Sequence, residues 1–263
     1  MKLALAQLNY TIGDIDGNTA KIIDAVERAK SEGADVVVFA EQAVSGTPAF
    51  DLLRKTTFLE LCEDALERIA THCDSIVAIV GSPLLSVDGP MSAAVVMQDG
   101  RISHCVTKKH ITARREMGFL SPGTGIETIF IAGEKVALVV GDDFRRVRNF
   151  PRTAQIVINV NARRYGKGVL SRRYSSIHNV SYVQSKTVVF INQVGGSGEI
   201  VYDGTSGIMD NKGNLTLMMR DFAEDFAIYD TDAEHEPCVL PEALYSHDRT
   251  PFNFRAAVIS LRD

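Results

Sequence analysis

Three polar positions stand directly after apolar runs. Glu41 closes Val36-Val37-Val38-Phe39-Ala40, Lys108 follows Ile102–Val106 in Thr107-Lys108-Lys109-His110, and Gly141-Asp142-Asp143 follows Val136–Val140. A carboxylate in such a place can take a proton, and an ammonium can oppose a negative charge that develops during a reaction. Runs of this kind read as buried strands, and in α/β sheets sites assemble at the strands' carboxyl ends. Taken singly, each signal has a plain alternative. Glu41 reads equally as a solvated loop residue, Lys108 as a surface charge, and Gly141 as turn chemistry. A second group is cationic. Arg145, Arg146 and Arg148 follow the run that ends near Gly141, while Arg163 and Arg164 follow Gln155–Val160. The planar guanidinium fork can donate two hydrogen bonds to a carboxylate or phosphate. The alternative is a solvated basic surface, neutralised in part by Asp142 and Asp143.

The elements that must position these residues alternate along the chain. Lys2–Leu8 reads as a buried strand. Asn18–Ser31 carries Ile22, Ile23, Val26 and Ala29 at helical spacing and stops at Gly33. Asp35–Phe39 is a strand, Phe58–Ala70 a helix through Leu61, Ala65, Leu66 and Ile69, and Ser75–Val80 a strand. Ala93–Gln98 and Ile102–Val106 flank Asp99-Gly100, a hairpin signal. Lys135–Val140, Gln155–Val160 and Val188–Gln193 are further strands, with a weaker helical pattern over Tyr174–Gln184. A second hairpin joins Gly207–Asp210 to Leu215–Met218 through Asn211-Lys212-Gly213, and Phe226–Asp230 adds a strand. Such an order makes an α/β protein of mixed sheets covered by helices. Residues 1–232 form one domain in this reading. Residues 233–263, with Pro237, Pro241 and Pro251, form a C-terminal arm or linker in which Ala256–Asp263 begins a new helix.

Composition bounds the function. Of 263 residues, 45% are hydrophobic and 23% charged, ordinary for a soluble globular protein. A net charge of −5 gives no reason to expect nucleic acid or an anionic membrane as partner. No apolar run approaches the roughly 18 residues of a spanning helix, and the N-terminus lacks a signal-peptide cleavage pattern. A cytoplasmic protein is expected, with Cys62, Cys73, Cys105 and Cys238 as reduced thiols and Cys62 on the core stripe of its helix. The cysteines are too dispersed for a metal site, so neither metal nor cofactor is expected. A small-molecule ligand is.

Several segments together resemble the nitrilase (carbon–nitrogen hydrolase) superfamily, and most closely the glutaminase domain of glutamine-dependent NAD synthetase. They are Ala4-Leu5-Ala6-Gln7-Leu8-Asn9, Gly13-Asp14, Gly17-Asn18, and Ala34–Glu41 with Ala40 where proline is common. Gly46, Pro48 and Asp51-Leu52-Leu53 follow. The most specific are Phe190-Ile191-Asn192-Gln193-Val194-Gly195-Gly196, Glu199 and Tyr202-Asp203-Gly204-Thr205-Ser206. The resemblance covers nearly the whole chain. It implies a four-layer α-β-β-α sandwich and a homodimer or higher oligomer. It also implies a Glu-Lys-Cys triad of base, oxyanion stabiliser and nucleophile. Matched by motif, the base falls on Glu41, the lysine on Lys108, and a second glutamate on Glu116 ahead of Ser121-Pro122-Gly123. The cysteine position falls on Gly141, which has no side chain. Two further departures stand beside it. The family's Ser-Pro-aromatic segment reads Asn161-Ala162-Arg163-Arg164-Tyr165, and its tyrosine soon after the lysine is not evident in Ile111–Arg115.

Three functional readings follow. The first is a nitrilase-fold domain that no longer works as an amidase and is kept for binding, assembly or regulation; in its sharper form the pocket holds an anion, with Arg163 and Arg145 as binding residues and extra room at Gly141. The second is a hydrolase that activates water with Glu41 and acts without a cysteine. The third is an ammonia-supplying or regulatory part of an NAD synthetase.

Overall fold

The computed structural model describes residues 1–111, 116–238 and 250–263. Its first half runs β1 (Lys2–Gln7), α1 (Ile15–Ser31), β2 (Val36–Val38), α2 (Thr56–Ala70), β3 (Val77–Leu84), β4 (Met91–Gln98) and β5 (Arg101–Thr107). The second half runs β6 (Glu127–Ile131), β7 (Glu134–Val140), β8 (Ile156–Val160), α3 (Val169–Gln184) and β9 (Thr187–Ile191). A hairpin of β10 (Val194–Ser197) and β11 (Ile200–Asp203) comes next, then β12 (Gly207–Met209), β13 (Leu215–Met218), β14 (Asp225–Asp230) and α4 (Thr250–Arg262).

Among the described residues these strands make two six-stranded sheets, ordered β14-β1-β2-β3-β4-β5 and β13-β12-β9-β8-β7-β6, besides the β10–β11 hairpin. Both sheets are mixed. β1, β2 and β3 run parallel, as do β7, β8 and β9, and the flanking strands pair antiparallel. β14 returns across the whole chain to pair with β1, Lys2 opposite Asp230.

Strand alternation explains the layering. Leu3, Leu5, Val36, Val38 and Ile79 of one sheet meet Val136, Leu138, Val140, Ile158 and Ile191 of the other in a shared core. The intervening residues face outward. Ala4, Ala6, Val37 and Val80 pack under α1 and α2, where Ile22, Val26, Cys62, Leu66 and Ile69 cover them. Ala137, Val139, Val157 and Phe190 pack under α3 and α4 through Leu170, Ile177, Phe252 and Ile259. The result is the expected four-layer α-β-β-α sandwich.

Helix α4 begins at Thr250, ahead of the expected Ala256, and its Phe252, Ala256 and Ile259 are buried in that outer core. The Asp263 carboxylate then accepts hydrogen bonds from Gly196 N–H and Asn9 Nδ2, both at 2.9 Å. Sequence reasoning passed over three strands. β6 is half-buried, with Ile129 and Ile131 inward and Phe130 exposed at a sheet edge. β10 and β11 are short and interrupted by Gly195, Gly196 and Gly198. Pro241 and the stretch 112–115 lie outside the described residues.

The inter-sheet core should be sensitive to truncation. Leu138→Ala removes a fully buried side chain between the sheets and should cost about 2–5 kcal/mol in urea unfolding. Val87→Ala at an exposed loop should stay within about 0.5 kcal/mol.

Candidate active site

Glu41 leaves the end of β2 on a backbone pressed against β3. A Cβ on Gly81 would sit 2.1 Å from the Ala40 carbonyl oxygen, so glycine is required for the Ala40–Gln42 segment to lie there. Lys108 leaves the end of β5, its N–H donating to the Ser92 carbonyl at 2.8 Å. Both side chains turn inward. Glu41 and Lys108 are each 4% exposed, so neither is the solvated loop residue nor the surface charge that each could be on its own.

The Lys108 ammonium donates to Glu41 Oε1 at 3.0 Å and to both Glu116 oxygens at 2.9 Å. Ser92 Oγ donates to the same Glu41 oxygen at 2.9 Å. Burial by itself would drive the lysine toward its neutral form. The two carboxylates more than offset that and raise its pKa above the ordinary lysine value, so it stays protonated at neutral pH. An ammonium without those partners would not be stable at this depth.

Gly141 ends β7 at φ +59° and opens a short 3-10 helix, Gly141–Arg145. A Cβ there would meet Lys108 Cε and Nζ at 2.8 Å and Glu41 Oε2 at 2.9 Å. Glu41, Lys108, Glu116 and Gly141 therefore converge, as their order in the sequence suggested. The expected extra room at Gly141 does not exist, because the end of Lys108 and the Glu41 carboxylate already fill it.

The two aspartates after Gly141 have different tasks. Asp143 is buried and accepts from Lys109 N–H at 2.6 Å, His110 N–H at 2.8 Å and His110 Nδ1 at 2.7 Å. That ties the 3-10 helix to the strand end that carries Lys108. Asp142 pairs with the Arg163 guanidinium. Burial lowers the Arg163 pKa, with Arg145 and Arg173 adding to it and Asp142 opposing.

The backbone of Arg163 is clamped by Asn192. Its Oδ1 accepts from Arg163 N–H at 2.6 Å, and its Nδ2 donates to the Arg163 carbonyl at 3.1 Å and to the Gly204 carbonyl at 3.0 Å. Beneath it, buried Arg173 donates to Asp203 Oδ1 at 2.8 Å.

These residues open on a cavity of about 830 Å³. Glu41, Lys108 and Glu116 lie at one side, Asp142 and Arg163 at another, and Arg164 and Arg172 near α3, with the Ser197–Ile200 turn facing them. Both arginine groups were expected beside Lys108. Arg163 and Arg164 do line this cavity, while Arg145, Arg146 and Arg148 are exposed and do not. Arg145 borders a smaller chamber behind Arg163. Parallel strands do deliver both groups to one end of the sheet, but the tight 3-10 turn after Gly141 carries Arg145 past the opening.

Four site residues escaped sequence reasoning: Ser92, Gly81, Arg173 and the clamp role of Asn192. Arg173 left a trace, a charge at an apolar position of α3 between Leu170 and Ile177. Asn192 sat in a quoted segment with no role attached. Gly81 and Ser92 lie inside apolar strands and gave no separate signal.

A family model described as carbon-nitrogen hydrolase matches residues 2–236. The chain belongs to the carbon-nitrogen hydrolase family.

Relatives of this member of the carbon-nitrogen hydrolase family include glutamine-dependent NAD(+) synthetases. That of Xanthomonas campestris pv. campestris is 29% identical over 240 residues, covering 88% of this chain and 44% of that protein. That of Aquifex aeolicus is 30% identical over 236 residues, covering 86% and 41%. The chain thus spans less than half the length of these curated relatives. Among solved structures, the glutamine-dependent NAD+ synthetase of Acinetobacter baumannii in complex with ADP superposes with a TM-score of 0.84 at 25% identity, over 100% of this chain and 51% of that one. An amidase from Nesterenkonia sp. AN1, seen after addition of acrylamide at its active-site cysteine, shares the fold at TM-score 0.76 and 19% identity, covering 97% and 98%.

The charged cluster should be a stability determinant. Lys108→Ala would leave Glu41 and Glu116 without their shared cation and should lose about 3–5 kcal/mol in chemical denaturation. Glu41→Gln keeps an oxygen for both donors and should lose less, about 1–3 kcal/mol. Equal stability of both variants and the parent would show that the cluster does not hold the sheet ends together.

Proposed function

We propose that this domain binds a small anionic ligand and does not hydrolyse amides. The observation that carries the reading is Gly141. By the motif resemblance the family's nucleophile position falls on this residue, and the place of its Cβ is packed against Lys108 and Glu41. Amide cleavage by covalent catalysis needs a thiolate, alkoxide or similar group within reach of a base, and glycine offers none.

No other thiol takes over. None of the four cysteines borders the cavity, and burial pushes the Cys62 and Cys73 thiols up to about 12 and that of Cys105 up to about 11. Ser92 touches Glu41 but is fully buried, so a substrate cannot reach it.

The ligand's charge follows from pairing. Of the four acids that line the cavity, Glu41, Glu116 and Asp142 are engaged by Lys108 and Arg163, and Glu199 stands on the Ser197–Ile200 turn. Arg164 and Arg172 border the same cavity and, among the described residues, form no ion pair. A carboxylate or phosphate there would meet guanidinium donors that hold no acid in an ion pair among the described residues. The site for the anion is then the Arg164 and Arg172 wall, with Arg163 able to turn toward it at the expense of Asp142.

Purified protein should release no ammonia from glutamine above background. Gly141→Cys should not restore release, because the new side chain would have to displace Lys108 and Glu41 and Arg163 still lines the pocket. Robust glutaminase activity of the parent would overturn the reading. In a calorimetric screen, phosphate-bearing or dicarboxylate compounds at about a hundredfold excess over Kd should raise Tm by about 5 °C or more. Arg164→Ala or Arg163→Ala should remove most of that shift. No anion binding at all would sink the ligand assignment and leave the loss of amidase chemistry to stand separately.

A further inference from the structure

Behind the Arg163–Asp142 pair lies a second chamber of about 20 Å³. Asp142, Asn161 and Arg163 border both it and the main cavity, and the exposed Arg145 borders it on the outer side. Its inner wall is made by β8, β9 and α3, through Asn159, Phe190, Arg173 and Ile177.

Asn159 is out of place by pattern. On β8, Ile156, Ile158 and Val160 fill the inter-sheet core, and Val157 packs under α3. Asn159 shares the face of Val157, pairs in register with Val139 and Phe190, and is 2% exposed. Alternation calls for an apolar residue there. Its Oδ1 nevertheless has no protein hydrogen-bond partner.

Arg173 presents the complementary defect. Its two terminal nitrogens are engaged by Gly204 O, Thr205 Oγ1 and Asp203 Oδ1. Its Nε–H is buried and has no protein partner. One chamber thus holds an unpartnered acceptor and an unpartnered donor, each on a side chain at least nine-tenths buried. Buried polar groups in folded proteins are almost always satisfied by protein or by ordered water. A chamber needs roughly 10–15 Å³ to take one water, and that water needs two to four polar partners. The volume meets the first condition, and Asn159 Oδ1 and Arg173 Nε–H are the two partners the second calls for.

We propose that this chamber is a hydroxyl-sized polar subsite, occupied by a single water that accepts from Arg173 Nε–H and donates to Asn159 Oδ1. The Arg163–Asp142 pair closes it from the main cavity. When Arg163 turns away from Asp142, the subsite becomes the inner end of that cavity and can take a ligand hydroxyl in place of the water. The subsite does not depend on which reaction, if any, the cavity carries out.

A crystal structure of the full chain at about 1.5 Å resolution should show density within hydrogen-bonding distance of both Asn159 Oδ1 and Arg173 Nε. A dry chamber, or side chains re-paired with protein groups, would overturn the assignment. Stability gives a second reading. Asn159→Leu removes the acceptor at similar volume and should lower Tm by about 2–4 °C if the acceptor is water-bonded. A rise in Tm would mean that the carbonyl was an unsatisfied burden and would refute the subsite. The partition is tested with glycerol as the hydroxyl probe. Crystals of Arg163→Ala soaked in glycerol should carry one of its hydroxyls on Asn159 and Arg173, whereas parent crystals should keep the water. Glycerol entering both proteins, or neither, would show that Arg163 is not the gate.

Discussion

A single buried ammonium joins the parts of this domain that chemistry would need. Lys108 comes from the end of β5, Glu41 from the end of β2 and Glu116 from the loop before β6, and the two glutamates accept hydrogen bonds of 2.9–3.0 Å from the lysine's one nitrogen. Desolvating a lysine is costly, and only two carboxylates at contact distance make it tolerable. The arrangement constrains its surroundings in turn. Ser92 must donate to Glu41, Gly81 must let the Glu41 backbone approach, and Asp143 must tie the 3-10 helix after Gly141 to the Lys108 strand end. Remove the cation, and the ends of β2 and β5 lose the polar contact that joins them to each other and to the loop carrying Glu116.

This dependence also explains how the site keeps its form with glycine at residue 141. The cluster is satisfied internally, by its own charges and hydroxyl, and not by a bound substrate or a thiolate. Glycine at φ +59° preserves the turn at the end of β7, because that backbone conformation suits glycine better than any other residue. With no side chain there, Lys108 and Glu41 close over the space.

Much of this was legible in the sequence, and the rest was hidden for identifiable reasons. The parallel strands β2, β7 and β8 read clearly because they are apolar on both faces. Their carboxyl ends then pointed to Glu41 and Gly141, and the hairpin after Asp99-Gly100 pointed to Lys108. What did not read was direction and depth. Nothing in Thr107-Lys108-Lys109 says which lysine turns inward; the Ser92 carbonyl and the acids around the buried nitrogen decide that. The fate of Arg145 was equally hidden, because one 3-10 turn carries it away from the opening that Arg163 faces. β10 and β11 escaped because their glycines, needed for the turn and for packing against α4 and Asn9, erase the alternation that marks a strand.

The Asn192 clamp has an implication for how the pocket can change. Its carboxamide meets the Arg163 peptide through one accepted and one donated hydrogen bond, much as one base meets another in a duplex. The contact reads only main-chain atoms, so it is blind to the side chain carried at residue 163. Selection can therefore exchange that side chain, and with it the charge and size of the pocket wall, while the strand end, the Gly204 turn and the buried Arg173–Asp203 pair stay where they are. The fold holds a fixed socket with a replaceable lining.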